Sequence, residues 1–111
     1  MATSIIPEHR PLFIEKTYTC LTGKLYKIND DDQYHTHRKA VTKTELGITD
    51  IPGYVMAGIK DYSTYNDWLT VLSANPYGTY VLYLLNYSVY DIETTARITV
   101  IWVRSDMAIA G

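Results

Sequence analysis

Cysteine is nearly missing from this chain: Cys20 stands alone in 111 residues. An internal disulfide framework is therefore excluded. A reducing compartment, or a fold that needs no cross-link, fits equally well. No apolar run approaches the roughly 18 residues that a membrane-spanning helix requires. The opening MATSIIPEHR lacks a basic segment followed by a long apolar one, so no secretory leader is expected. Ala at position 2 rules out myristoylation. These absences predict a soluble chain made in the cytoplasm, without membrane insertion. Neither sign of charge dominates, with 10 Lys and Arg against 12 Asp and Glu and a net charge of −2. That balance speaks against a nucleic-acid binder held by a general basic surface. There is no Gly-rich phosphate loop and no Gly-x-Ser-x-Gly elbow. The carboxylates Asp61 and Asp67 stand six apart, with no reason to meet. Cys20 lies on a predicted strand among apolar neighbours, a poor setting for a thiol nucleophile. The chain reads as a protein that binds, not as an enzyme.

What is present is enough to fold. Hydrophobic residues make up 47% of the sequence, which argues against intrinsic disorder. The length suits one small domain. The longest apolar run, TYVLYLLNYSVY at 79–90, is rich in residues that suit a pleated, half-buried surface. The turn signal Asn75-Pro76-Tyr77-Gly78 precedes it. A second such run, ARITVIWVR at 96–104, follows closely. The two are expected to be adjacent antiparallel strands of one sheet. The first is apolar on both faces as far as Leu85, so something must cover both. One cover is a helix over 63–74 (STYNDWLTVLSA), where Tyr65, Trp68, Leu69, Val71 and Leu72 fall near one side at spacings of three and four. Ser63 or Thr64 would cap it and Asn75-Pro76 would end it. The other cover is the N-terminal hairpin or another copy of the chain.

Ahead of these elements, residues 1–11 carry Pro7 and Pro11 and read as an extended N-terminal arm. Residues 12–28 read as a hairpin turning at Thr22-Gly23. Residues 29–62 read as a loop with one short helical turn, because Thr42-Lys43-Thr44-Glu45 has capping-box spacing and Gly47 stops it. The expected fold is thus α+β: a single domain over 12–111, mainly antiparallel sheet, with one helix packed on it and an extended arm.

Candidate chemistry is sparse. His35 and His37 are two apart, so on an extended strand both imidazoles face one way. On the axis of a trimer such a pair would offer six nitrogens, a set suited to an octahedral transition-metal ion. The plain alternative is a surface loop whose histidines are neutralised by Asp30, Asp31 and Asp32. Those three acids lack the spaced ligands of a calcium loop and read as a solvated turn. Apart from this conditional metal ion, no cofactor is expected. Arg38, Lys39 and Lys43 with Tyr34 form a small basic cluster suited to an acidic partner or to plain solvation. Tyrosine is the compositional outlier, eleven against one Phe. It offers an apolar face with a wet tip, as recognition surfaces and subunit interfaces do, or fills half-exposed strand positions. Tyr62, Tyr65 and Tyr77, near the ends of the predicted helix, are the candidate binding residues.

Two stretches carry a resemblance. Residues 39–58 (KAVTKTELGITDIPGYVMAG) resemble linking segments of bacteriophage fibre and capsid-decoration proteins. The run from Asp67-Trp68 through Gly78-Thr79-Tyr80 to Trp102-Val103-Arg104 resembles the knobs at phage fibre tips. His35 and His37 are similar to the iron-binding histidines on the axis of some trimeric tips. The resemblance implies a virion structural or attachment protein, synthesised in the host cytoplasm. It implies a homo-oligomer, a trimer by analogy, that contacts other virion proteins and host surface glycan. The competing expectation is a small intracellular viral inhibitor that blocks a host enzyme.

Overall fold

The computed structural model describes residues 10–28 and 37–106. Among them the fold is mostly antiparallel β-sheet with one short helix. Six strands form two three-stranded sheets. In sheet A, β6 (Ile92–Arg104) is central, flanked by β1 (Phe13–Leu25) and β3 (Tyr54–Thr64). In sheet B, β5 (Tyr80–Asn86) is central, flanked by β2 (Arg38–Thr42) and β4 (Leu69–Ala74).

Alternation explains sheet A. Ile92, Ala96, Ile98, Val100 and Trp102 share one face of β6 and are all buried. Register places Ile14 opposite Trp102 and Tyr18 opposite Ile98 on β1, and Met56 and Ile59 opposite Trp102 and Val100 on β3. The inner face of sheet B carries Val41, Leu82 and Leu84, and these join the sheet A residues in one buried cluster. The other side of sheet A is polar along its middle. Thr17 hydrogen-bonds Thr99 at 2.8 Å, Arg97 pairs with Asp61 at 2.8 Å, and Lys60 pairs with Glu15 at 2.9 Å. The two ion pairs contribute little stability, but they put charge on a long sheet whose two edges are unpaired among the described residues.

Several expectations give way here. The predicted helix over 63–74 does not form. Ser63 and Thr64 end β3, residues 65–68 turn, and residues 69–74 are β4. The polar residues that resembled a cap build the turn instead: Thr64 Oγ1 donates to the Asn66 carbonyl, and Asn66 Oδ1 accepts from the Trp68 N–H at 2.8 Å. Of the supposed apolar face only Leu69 is buried; Val71 is half-buried, and Tyr65, Trp68 and Leu72 are exposed. The hairpin over 12–28 is a single strand. Thr22-Gly23 marks a bulge, where pairing steps from Leu21 with Thr95 to Lys24 with Glu93. Gly23 takes φ 71°, and buried Thr22 Oγ1 accepts from the Thr94 N–H at 3.0 Å. That adds one residue and bends the strand without reversing it. The loop over 29–62 contains β2 and most of β3. The strands expected over 79–90 and 96–104 run over 80–86 and 92–104, and they belong to different sheets. Of the arm over 1–11, residues 1–9 lie outside the described residues. Arg10 and Pro11 are tied to sheet A: Arg104 Nη1 donates to the Arg10 carbonyl at 3.0 Å, and Tyr54 Oη donates to that of Pro11 at 2.6 Å.

The short helix forms where capping-box spacing placed it. In α1 (Lys43–Leu46), the Thr42 side chain accepts from the Glu45 N–H at 3.1 Å, and Glu45 Oε1 accepts from the Thr42 N–H at 3.1 Å. Gly47 closes the helix with φ 74°, and Leu46 enters the core. Burial alone would push the Glu45 carboxyl up. The Thr42 N–H, the Lys39 ammonium and the Thr42 hydroxyl outweigh it and hold the carboxyl below its usual range. Thr42→Ala is expected to lower stability by about 1 kcal/mol at neutral pH. A carboxyl with a depressed folded pKa stabilises above its unfolded pKa, and that help fades as pH falls through the folded value. The gap between wild type and Thr42→Ala should therefore narrow in acid, read from urea midpoints at pH 7 and at pH about 3.

Candidate functional site

The three predicted binding tyrosines are exposed but do not meet. Tyr62 lies on β3 opposite Ile98, and Tyr65 follows the end of that strand, donating its N–H to the Thr95 carbonyl at 3.1 Å. Tyr77 sits in the β4–β5 turn, where its N–H donates to Asn75 Oδ1 at 3.0 Å. It lines a cleft of about 370 Å³ with Lys43, Asp50, Tyr54, Met56 and Trp102, beside the start of β3. Most of the length of β3, eleven residues at about 3.3 Å each, separates it from the other two. His35 lies outside the described residues. His37 is buried, and its carbonyl accepts the Asn86 N–H at 2.8 Å. Among the described residues no group of three His, Cys, Asp or Glu side chains could hold a metal ion. Lys39, from the predicted basic cluster, is paired with Glu45 at 3.0 Å.

The residues that do converge are ones sequence reasoning placed elsewhere. Trp68 and Tyr87 lie just past the β4–β5 ladder, their rings 5.7 Å apart and tilted by 59°. With Ser88, Val89 and Tyr90 they line a groove of about 170 Å³. Trp68 is 56% exposed, Tyr87 44%, Val89 69% and Tyr90 72%. Among the described residues no charged side chain lines this groove.

The groove stands on a buried polar latch. Asn86 is fully buried at the end of β5. Its Nδ2 shares two hydrogens among the carbonyls of Leu25 at 3.0 Å, Tyr26 at 3.1 Å and Tyr90 at 2.8 Å. Its Oδ1 accepts from the Ser88 N–H at 2.9 Å. Ser88 Oγ donates to the Tyr90 carbonyl at 2.9 Å, and the Ile28 N–H donates to the Ser88 carbonyl at 3.0 Å. The crossing from sheet B to sheet A is thereby fixed against the end of β1. The opposite wall is held by the Asn66 turn and by the Tyr87 hydroxyl, which donates to the Asp67 carbonyl at 2.9 Å. Side chains on a backbone held at this many points lose little freedom when a partner arrives.

Apart from Glu45 and Lys60, two ionisable groups among the described residues are shifted, Tyr18 and Cys20, and neither belongs to a reactive cluster. Burial pushes the Tyr18 phenol up, and the Trp102 indole partly offsets this. Neither Tyr18 Oη nor Trp102 Nε1 has a well-formed hydrogen bond. Burial also pushes the Cys20 thiol up; the Glu45 charge adds to the shift and Lys39 opposes it, so little thiolate forms at neutral pH. Sequence reading missed Tyr87, Val89 and Tyr90 because it carried the strand through them. The polar break Asn86-Tyr87-Ser88 was the available signal, since Asn and Ser favour turns.

No protein-family model, curated protein or solved structure matches this chain.

Proposed function

We propose that this chain is a structural or attachment component of a virion, of the phage fibre, tail or capsid-decoration kind. It works as a homo-oligomer and by binding, not by catalysis. One observation carries the reading: an uncovered apolar row across the outer side of sheet A. Phe13, Val103 and Val55 stand in register across its three strands, with Ile101 in the next row. Phe13 is 63% and Val55 41% exposed. The outer face of β5 repeats the pattern, with Tyr83 and Leu85 only half-buried. Among the described residues both edges of each sheet are also unpaired. Apolar rows and open edges of this kind are what neighbouring copies cover in an assembly. Exposed aromatics around the ends of the strands supply contacts to a further partner.

The test is the mass in solution by sedimentation equilibrium. The expected value is a small multiple of the 12.7 kDa chain, three by analogy with fibre tips. Phe13→Lys should shift the protein toward single chains while leaving its β-sheet circular dichroism intact. A wild-type monomer at every concentration would overturn the proposal and leave the enzyme-inhibitor expectation in its place.

A further inference from the structure

We propose that the Trp68–Tyr87–Tyr90 groove binds one ring of a neutral sugar. The inference rests on the attachment reading for its purpose, and on the groove itself for its chemistry. Three properties select the occupant. The first is size: a space of about 170 Å³ admits a single pyranose ring and is too small for a folded element. The second is charge: among the described residues the lining is Trp68, Tyr87, Ser88, Val89 and Tyr90, with no ion to recognise a carboxylate, a phosphate or an ammonium. The third is the angle between the walls. Rings tilted by 59° at 5.7 Å form a corner, in which one ring lies flat against the C–H face of a sugar and the other bounds its edge.

Polar atoms surround that corner. The Tyr87 hydroxyl donates to Asp67 and keeps lone pairs to accept from a sugar hydroxyl. The Tyr90 phenol and the Trp68 indole N–H have no hydrogen-bond partner among the described residues, and both side chains are largely exposed. Aromatic faces give contact area, and the phenols and indole N–H give direction, a combination suited to a ligand that is apolar on its faces and hydroxylated on its rim. The latch holds the backbone beneath the corner, so binding has less of it to order. By contrast, the larger cleft at Tyr77 is flanked by both Lys43 and Asp50, and its Trp102 is buried and offers no stacking face.

The experiment uses the full chain, labelled with 15N. Methyl glycosides of glucose, galactose, mannose and N-acetylglucosamine are added separately, with glucuronic acid as a charged comparison. At least one neutral glycoside should shift the amides of Trp68 and residues 87–90 saturably, in the millimolar range, and glucuronic acid should bind more weakly. Trp68→Ala and Tyr90→Ala should each weaken binding by about tenfold or more, with unfolding midpoints close to wild type. Tyr77→Ala should leave binding unchanged. Three results would overturn the proposal: no saturable shift with any of the four neutral glycosides, shifts that persist unchanged in Trp68→Ala, or shifts centred on Lys43 and Tyr77. A fourth would reassign the groove to a second copy of the chain: Trp68 emission moving to shorter wavelength with protein concentration, without sugar. The solution mass is read separately, so a monomer that binds sugar would end the assembly reading and leave the groove standing.

Discussion

Asn86→Ala is expected to cost about 3 kcal/mol or more, because it strands several groups at once. The Leu25 carbonyl and the Ser88 N–H lose their partner in a buried setting, the Tyr26 carbonyl loses its partner nearby, and the Tyr90 carbonyl keeps only the Ser88 hydroxyl. Leaving a buried polar group unsatisfied costs about 1–3 kcal/mol. A domain of this size holds only about 5–15 kcal/mol in total, so the variant should be marginal. Asn86→Asp keeps the shape but replaces the donor with an acceptor facing three carbonyl oxygens, and it should be no better. Urea unfolding with an unchanged slope measures the loss. Hydrogen exchange should show residues 87–91 losing protection beyond the global change. A loss below about 1 kcal/mol would mean that the latch does not hold the loop.

Leu84→Ala should cost a similar amount, about 2–5 kcal/mol, and its contrast with Leu72→Ala is the informative part. Leu84 is fully buried at the centre of sheet B, between Lys39 and Val71. Truncation there removes apolar burial and leaves a cavity. Leu72 is the extra residue of the β4 bulge, between the pairs Val71–Leu84 and Ser73–Tyr83, and is 49% exposed. Its truncation should cost about 0.5 kcal/mol or less. On a helix over 63–74, Leu72 and Leu69 would share a buried face and both would be costly to remove. Unfolding midpoints for Leu69→Ala, Leu72→Ala and Leu84→Ala therefore also test β4: a large loss at Leu72 would contradict the strand.

Features legible in the sequence were local ones. The capping box needs only Thr42, Glu45 and the residues between them, and it formed as spaced. The apolar character of β5 and β6 marked both as strands, within a few residues at their ends. β2 and β3 were hidden by being edge strands. Arg38 and Lys39 open β2, while β3 carries Lys60 and Asp61 and two register shifts. Charges and bulges are usual on open edges, and they erase the alternation by which a strand is recognised. At 63–74 a period near 3.6 arose in a turn and a bulged strand, and periodicity alone cannot tell these from a helix. The predicted tyrosines were chosen from the ends of that helix, so Tyr62, Tyr65 and Tyr77 scattered once it was gone. The groove instead uses Trp68, which the helical reading had buried, and Tyr87 and Tyr90, which had been absorbed into a strand.

By itself, then, the sequence determined the sheet-forming runs, the one helical turn and the lack of an internal disulfide. These depend on side-chain chemistry within a few neighbours. Only the tertiary structure decided that β5 and β6 part into different sheets, that Thr22-Gly23 bends β1 without reversing it, and which aromatics stay outside. Those outcomes depend on partners far along the chain, such as the Asn86 amide reaching Leu25 across sixty-one positions. Hydrogen bonds and packing at that separation leave no periodic trace in the residues that make them.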